Sequence, residues 1–205
     1  MPSDILNRFM RATFPDHSEL WMFQRQFSVE IAMMAFATHV FMMNKGAPHT
    51  MKFMLTTGNI VSWDMMVTYN SKGEIVVPEP IPFRLTPNLV NFVTPVGITG
   101  LFSAALIASA QTLNDPEFRI KDYLSAILRD EIISWHALSH EPWLMSAMPN
   151  SQLLETVELN AGNMKKKLEE LAEFDGTNSN VDALIKNATT SQNLCLMSPT
   201  WHPWL

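Results

Sequence analysis

Few side chains in this sequence have the type and spacing that catalysis or metal binding requires. His136 and His140 stand four apart near the end of a helical pattern, which would put two imidazoles on one face as in a zinc site. No third ligand follows nearby, so two structural histidines are expected instead. Cys195 is the single cysteine, which excludes an internal disulfide and fits a reducing compartment. No base or cation adjoins it in sequence, and a packed thiol is expected. Lys165, Lys166 and Lys167 form the one dense basic run, and Glu169 with Glu170 follows at once, the pattern of a solvated helix face. Asp64 and His49 are isolated titratable groups, read as a hydrogen-bonding carboxylate and a support for loop backbone. Arg84 is expected to pair with a carboxylate inside the fold. Asn187-Ala188-Thr189 matches a glycosylation acceptor by chance.

The bulk numbers set bounds around these residues. The 205 residues suffice for one domain with a sizeable core, or a domain with a docked appendage. An apolar share of 47% against 17% charged exceeds what a freestanding domain needs, and 15 Met and 6 Trp push the same way. The chain therefore reads as part of a larger assembly. Its net charge of −6 argues against a broad nucleic-acid footprint. The start lacks a basic region followed by an apolar one, so no secretion leader is expected. Residues 89–113 are uncharged and long enough to span a bilayer, but Pro95, Gly97 and Gly100 interrupt them. A buried core helix is the preferred reading, with membrane association as the alternative.

The elements that must hold these residues are largely helical. Asp16 with Glu19 signals a helix start, and Phe27, Ile31, Met34 and Phe41 form its apolar stripe, with Gly46 as its stop. Residues 52–56 and 60–63 read as one hairpin through Thr57-Gly58-Asn59. Residues 66–69 and 74–77 read as a second, around Asn70-Ser71-Lys72-Gly73. Pro78, Pro80, Pro82 and Pro87 then impose an extended, braced segment. Helical patterns resume after Pro95, across 101–113, then across 118–138 with Ile120, Leu124, Ile127, Leu128, Ile132 and Trp135. The last long pattern sets Leu154, Val157, Ala161, Met164, Leu168 and Leu171 on one seam. A polar linker from Asp175 to Asn180 precedes a short helix, 181–190, and an aromatic end.

Two stretches carry a family resemblance. Ile81-Pro82-Phe83-Arg84-Leu85-Thr86-Pro87-Asn88 resembles the segment that closes the activation loop in the phosphatidylinositol-3-kinase-related kinases. Val181-Asp182-Ala183-Leu184-Ile185, through Asn193-Leu194-Cys195 to Trp201-His202-Pro203-Trp204-Leu205, resembles their FATC tail. The His-Pro-Trp-Leu ending and the run Ile127-Leu128-Arg129-Asp130-Glu131-Ile132-Ile133-Ser134-Trp135 look like the pseudokinase branch of that family. That branch comprises the transformation/transcription domain-associated (TRRAP) proteins and their fungal counterparts. The resemblance implies an α+β, mostly α-helical fold: a carboxy-terminal kinase lobe over 1–174, with short hairpins, and a FATC tail over 175–205.

The resemblance also implies where chemistry would sit. The family's catalytic loop reads D-R-H-x-x-N and is followed by a hairpin and D-F-G, because phosphotransfer needs a base at the attacking hydroxyl and an Asn and Asp on Mg²⁺. The matching residues here are Ala47-Pro48-His49-Thr50-Met51-Lys52 and Asp64-Met65-Met66. Ala47 accepts no proton, Lys52 places a cation at the metal-ligand position, and Met66 replaces the glycine. Loss of the general base alone costs about 10²–10⁴ in rate. The expectation is a degenerate kinase with no catalytic, cofactor-binding or metal-ligating residue, an active Ser/Thr kinase being the alternative. By the same resemblance the chain is a fragment of a nuclear scaffold of histone acetyltransferase complexes, of the SAGA and nucleosome-acetylating types. Complex subunits, transcription activators and the rest of its parent chain are its expected partners, without nucleic acid or membrane. Trp201, Trp204 and Leu205 are expected to dock back onto the lobe, a partner subunit or a membrane being the other surfaces they suit.

Overall fold

A computed structural model describes residues 2–46, 50–63, 65–93, 95–139, 149–173 and 179–204. Asp16 caps the first long helix as expected, its carboxylate accepting a hydrogen bond from the Ser18 amide at 2.8 Å. A short helix α1 (Ile5–Thr13) precedes this one, α2 (His17–Val40). Phe27 lies at the centre of an aromatic cluster. Its ring stands 5.9 Å from Phe23, edge-on to Phe92 at 5.2 Å and edge-on to Phe53 at 5.7 Å. These contacts tie α2 to the first hairpin and to α3 (Pro87–Val93).

The hairpins are β1 (Met51–Phe53) with β2 (Ile60–Ser62), and β3 (Thr68–Tyr69) with β4 (Ile75–Val76), both antiparallel. Gly58 at the first tip has φ +77°, and a Cβ there would lie 3.2 Å from the Gln26 side chain, so both conformation and space call for glycine. In the second turn Asn70 Oδ1 accepts from the Lys72 and Glu74 amides. The 81–86 segment is irregular, with Ile81, Phe83 and Leu85 buried. Pro87 then opens α3 as an N-terminal helix proline.

Several expectations need correction. The helix α2 ends at Val40, not at Gly46, because Met42 itself takes the left-handed conformation, φ 53°. Helix returns at Pro87 rather than after Pro95. A π-helical turn (Gly97–Phe102) then leads into α4 (Ser103–Leu113). The Ser103 hydroxyl donates to the Ile98 carbonyl five residues back, at 2.7 Å. α3 and this second unit are bent by 90°, and no single helix among the described residues is long and apolar enough to cross a membrane. Phe118 lies in a short 3₁₀ turn, and α5 (Ile120–Ser139) begins after Arg119 at φ 46°. Leu124, Leu128 and Ile132 are buried on α5, but Ile127 is exposed.

The long helix α6 (Asn150–Ala172) buries Leu153, Val157, Ala161, Met164, Leu168 and Leu171; Leu154, assigned to this seam by spacing, faces outward. α5 and α6 pack together over Ile75, while Leu168 and Leu171 join the α2–α4 core. The carboxy-terminal residues fold onto this frame as α7 (Ser179–Thr189), α8 (Ser191–Cys195) and a 3₁₀ turn (Pro199–Trp204). Val181 and Ala188 of α7 enter the main core.

Candidate functional site

The loop after α2 is held at two successive residues. Asn44 exchanges hydrogen bonds with Met66: its amide donates to the Met66 carbonyl at 2.9 Å, and its Oδ1 accepts from the Met66 amide at 3.1 Å. Met43 bridges Val67 beside them. Lys45 is buried, and Nζ lies 3.7 Å from Glu79 Oε2, an ion pair too long for a hydrogen bond. Glu79 Oε1 also accepts from the Lys45 amide at 3.2 Å. Glu79 stands between Pro78 and Pro80, so the braced segment fixes the carboxylate against the loop.

Lys52 lies on β1, opposite Val61. Its ammonium rests 4.9 Å from the centroid of the Trp63 ring, a cation–π contact made on the exposed side of the hairpin. Met66, at the position expected of a turn glycine, has no left-handed backbone to require one, and its side chain is exposed. Ala47, Pro48, His49 and Asp64 lie outside the described residues, as does His140.

Burial orders the charges behind the loop. Lys45 is held below the usual lysine pKa by burial, which the Glu79 charge partly offsets. His39 on α2 is pushed down to about 3 by burial and then by the charges of Lys167 and Lys45. Lys167 is thus no part of a solvated face. Lys165 and Lys166 pair outward with Glu169 and Glu170, while Lys167 is partly buried and its pKa lowered by that burial.

Two tests follow from these charges. Replacing Glu79 with glutamine leaves Lys45 buried without its counter-charge, and urea unfolding should show a loss of about 3 kcal/mol at pH 7. His39 binds a proton when unfolded near pH 6.5 but when folded only near 3. Stability should therefore fall as pH drops through that window, and His39→Gln should remove up to about 1.4 kcal/mol per pH unit of that slope in melts.

Arg84 is buried, and its guanidinium carbon lies 5.0 Å from the Trp201 ring centroid. Burial lowers its pKa to about 10. Trp201 packs with Ile81, Leu194 and Met197 in a separate small core. The expected docking of the tail onto the lobe is thus realised through Trp201, against the same segment that carried the resemblance. Leu205 lies outside the described residues. Cys195, expected to be packed, is exposed.

Sequence reasoning missed Asn160. It is fully buried on α6, donates from Nδ2 to the Gly73 carbonyl at 2.9 Å and accepts from the Ile75 amide at 3.0 Å. Its signal was an amide next to the apolar seam of a long helix, where a polar side chain needs partners. Asn44 and Lys45 gave no comparable signal, their partners lying 22 and 34 residues away.

Helix α2, the paired hairpins, the braced segment and the docked tail together define a kinase-type carboxy-terminal lobe with its appended tail. The family model for phosphatidylinositol 3- and 4-kinase matches residues 1–137, and the FATC domain model matches residues 176–205. The solved structure described as the FAT and kinase domain of CtTel1 superposes with a TM-score of 0.62. It is 20% identical and is matched over 98% of this chain and 14% of that one, so it supports the fold alone. Mouse transformation/transcription domain-associated protein is 33% identical over all of this chain and 8% of its own length. The SAGA complex/NuA4 acetyltransferase complex subunit TRA1 of Saccharomyces cerevisiae is 26% identical over all of this chain and 6% of its own. The chain belongs to the phosphatidylinositol 3- and 4-kinase family, within its TRRAP/Tra1 branch. It spans only 6% to 8% of the length of these curated relatives.

Proposed function

We propose that this chain is a non-catalytic scaffold lobe, the kinase-fold part of a much longer transcription coactivator. The observation that carries the reading is Lys52. At the position where the family places a metal-ligating Asn stands an ammonium engaged with Trp63, a group that repels Mg²⁺ rather than binding it. Ala47 at the base position and Met66 in place of the glycine agree with it. The Asn44 clamp adds a physical reason, since it fixes Met66 by both backbone groups where an activation loop needs freedom to turn.

The printed names of the mouse and yeast relatives, one transcription-associated and the other a subunit of SAGA and NuA4, support a nuclear role. The partners are then subunits of such acetyltransferase complexes, transcription activators and the rest of the same polypeptide. Domain limits near 174 and 175 follow the same reading. The test uses the native full-length protein, purified free of other kinases and assayed for peptide phosphorylation with Mg-ATP. No activity is expected, and Lys52→Asn alone should not restore it. Activity abolished by Asp64→Ala would establish a working kinase and overturn the proposal.

A further inference from the structure

An apolar groove of about 690 Å³ runs between α5 and the β3–β4 hairpin. Its walls expose large side chains: Met66 is 60% exposed, Tyr123 66%, Ile127 60% and Leu138 88%. Isolated exposed apolar residues need no explanation, but several converging on one concave face mark a surface that something covers. Methionines on that face, Met43 and Met66 among them, adapt to the shape of an incoming apolar side chain. Two polar features point to what covers it. The Tyr69 hydroxyl is buried at the groove and has no hydrogen-bond partner among the described residues, while its ring packs 5.4 Å from Trp135. Among the described residues, Glu131 is the one charged side chain lining the groove, in a chain of net charge −6.

We infer that the groove receives an amphipathic α-helix of the same polypeptide from outside residues 1–205, docking an apolar stripe on Tyr123, Ile127 and Leu138 and a Lys or Arg beside Glu131. The occupant is the same chain because this lobe amounts to 6% to 8% of the length of its relatives. A tethered segment also docks at high effective concentration, so a groove of this size suffices. Tyr123, Ile127 and Leu138 stand at i, i+4 and i+15 on α5, spacings that keep to one helix face over about four turns. An apolar stripe of similar length on the incoming helix can lie along them, and a hydrogen-bonding side chain of that helix satisfies Tyr69. A bilayer is disfavoured, since Glu131 would face anionic headgroups. The inference rests on the reading above that these residues belong to a longer protein.

The experiment places a photo-crosslinking phenylalanine analogue at Ile127, and separately at Leu138, in the native full-length protein within its assembly. Mass spectrometry of intact mass and crosslinked peptides follows. The expected product joins either position to one helical segment of the same polypeptide that carries an apolar stripe and a Lys or Arg. Glu131→Lys should lower its yield about tenfold, and reversing the charge of the crosslinked basic residue should restore it. Crosslinks to another protein, a second copy, lipid or residues 140–148, or none at both positions, would overturn the inference while leaving the scaffold reading intact. An intact mass limited to these 205 residues would overturn both the inference and the reading of a longer parent.

Discussion

Replacing Trp201 with alanine is expected to lower the stability of the lobe by about 3–4 kcal/mol, the cost of removing a buried indole. The ring is 2% exposed and packs against Ile81, Leu194 and Met197, so its loss leaves a cavity bounded by both the lobe and the tail. The Arg84 guanidinium stacked on it adds to the cost, because a cation over a desolvated ring contributes up to about 2 kcal/mol. Trp201→Phe should recover part of the loss, keeping a ring face for Arg84. Hydrogen exchange would locate the effect. Protection should fall first in α8 and around Ile81, while Phe27 and its neighbours on α2 keep theirs. A uniform loss across the lobe, or none in α8, would contradict the assignment of Trp201 as the anchor of the tail.

The second large effect belongs to Asn160. Substitution by leucine removes both hydrogen bonds that α6 makes to the second hairpin and leaves the Gly73 carbonyl and the Ile75 amide buried without partners. Each such orphan costs about 1–3 kcal/mol, so a loss of about 2–6 kcal/mol is expected in urea titrations. Asn160→Asp should be no milder, since it keeps the acceptor for Ile75 but loses the donor to Gly73 and brings a charge into the interior. Hydrogen exchange of the Ile75 amide should accelerate in both variants. If that amide stayed protected in the leucine variant, the clamp would not be what holds the hairpin.

These two residues also show what was legible in the sequence and what was not. Trp201 was legible because clustered aromatic side chains need a surface, and the receiving segment, 81–88, is itself marked by its prolines and its family resemblance. The hairpins were legible because Gly58 and the Asn70–Gly73 turn carry their conformation in their residue types. The phase of α6 was one residue off at its start, since Leu153 and Leu154 are adjacent and only the packing against α5 chooses between them. The end of α2 was hidden because Met42 adopts a backbone conformation usually left to glycine or asparagine. The π-helical turn at Gly97–Phe102 was not legible because a single wide turn is too short to leave a period distinct from 3.6. At the candidate site the residue types at 47, 52 and 66 were plain, but the Asn44 and Lys45 clamps were not, because hydrogen-bond partners distant in sequence leave no local periodicity.

The clamps add to the proposed reading of a lobe without phosphotransfer chemistry. On that reading the sequence at 47 and 52 lacks a base and a metal ligand. Asn44 on Met66 and Glu79 on Lys45 show in addition that the surrounding loops are fixed to one another, as the proposed scaffold role requires. The most direct measurement of that account is calorimetric titration of ATP into the native full-length protein, with and without Mg²⁺. No magnesium-dependent binding is the expected result, because on the proposed reading Lys52 stands at the ligand position, where its ammonium would repel the ion. A saturable, magnesium-dependent isotherm that disappears in Asp64→Ala would contradict it, and would return the lobe to the nucleotide-binding kinases.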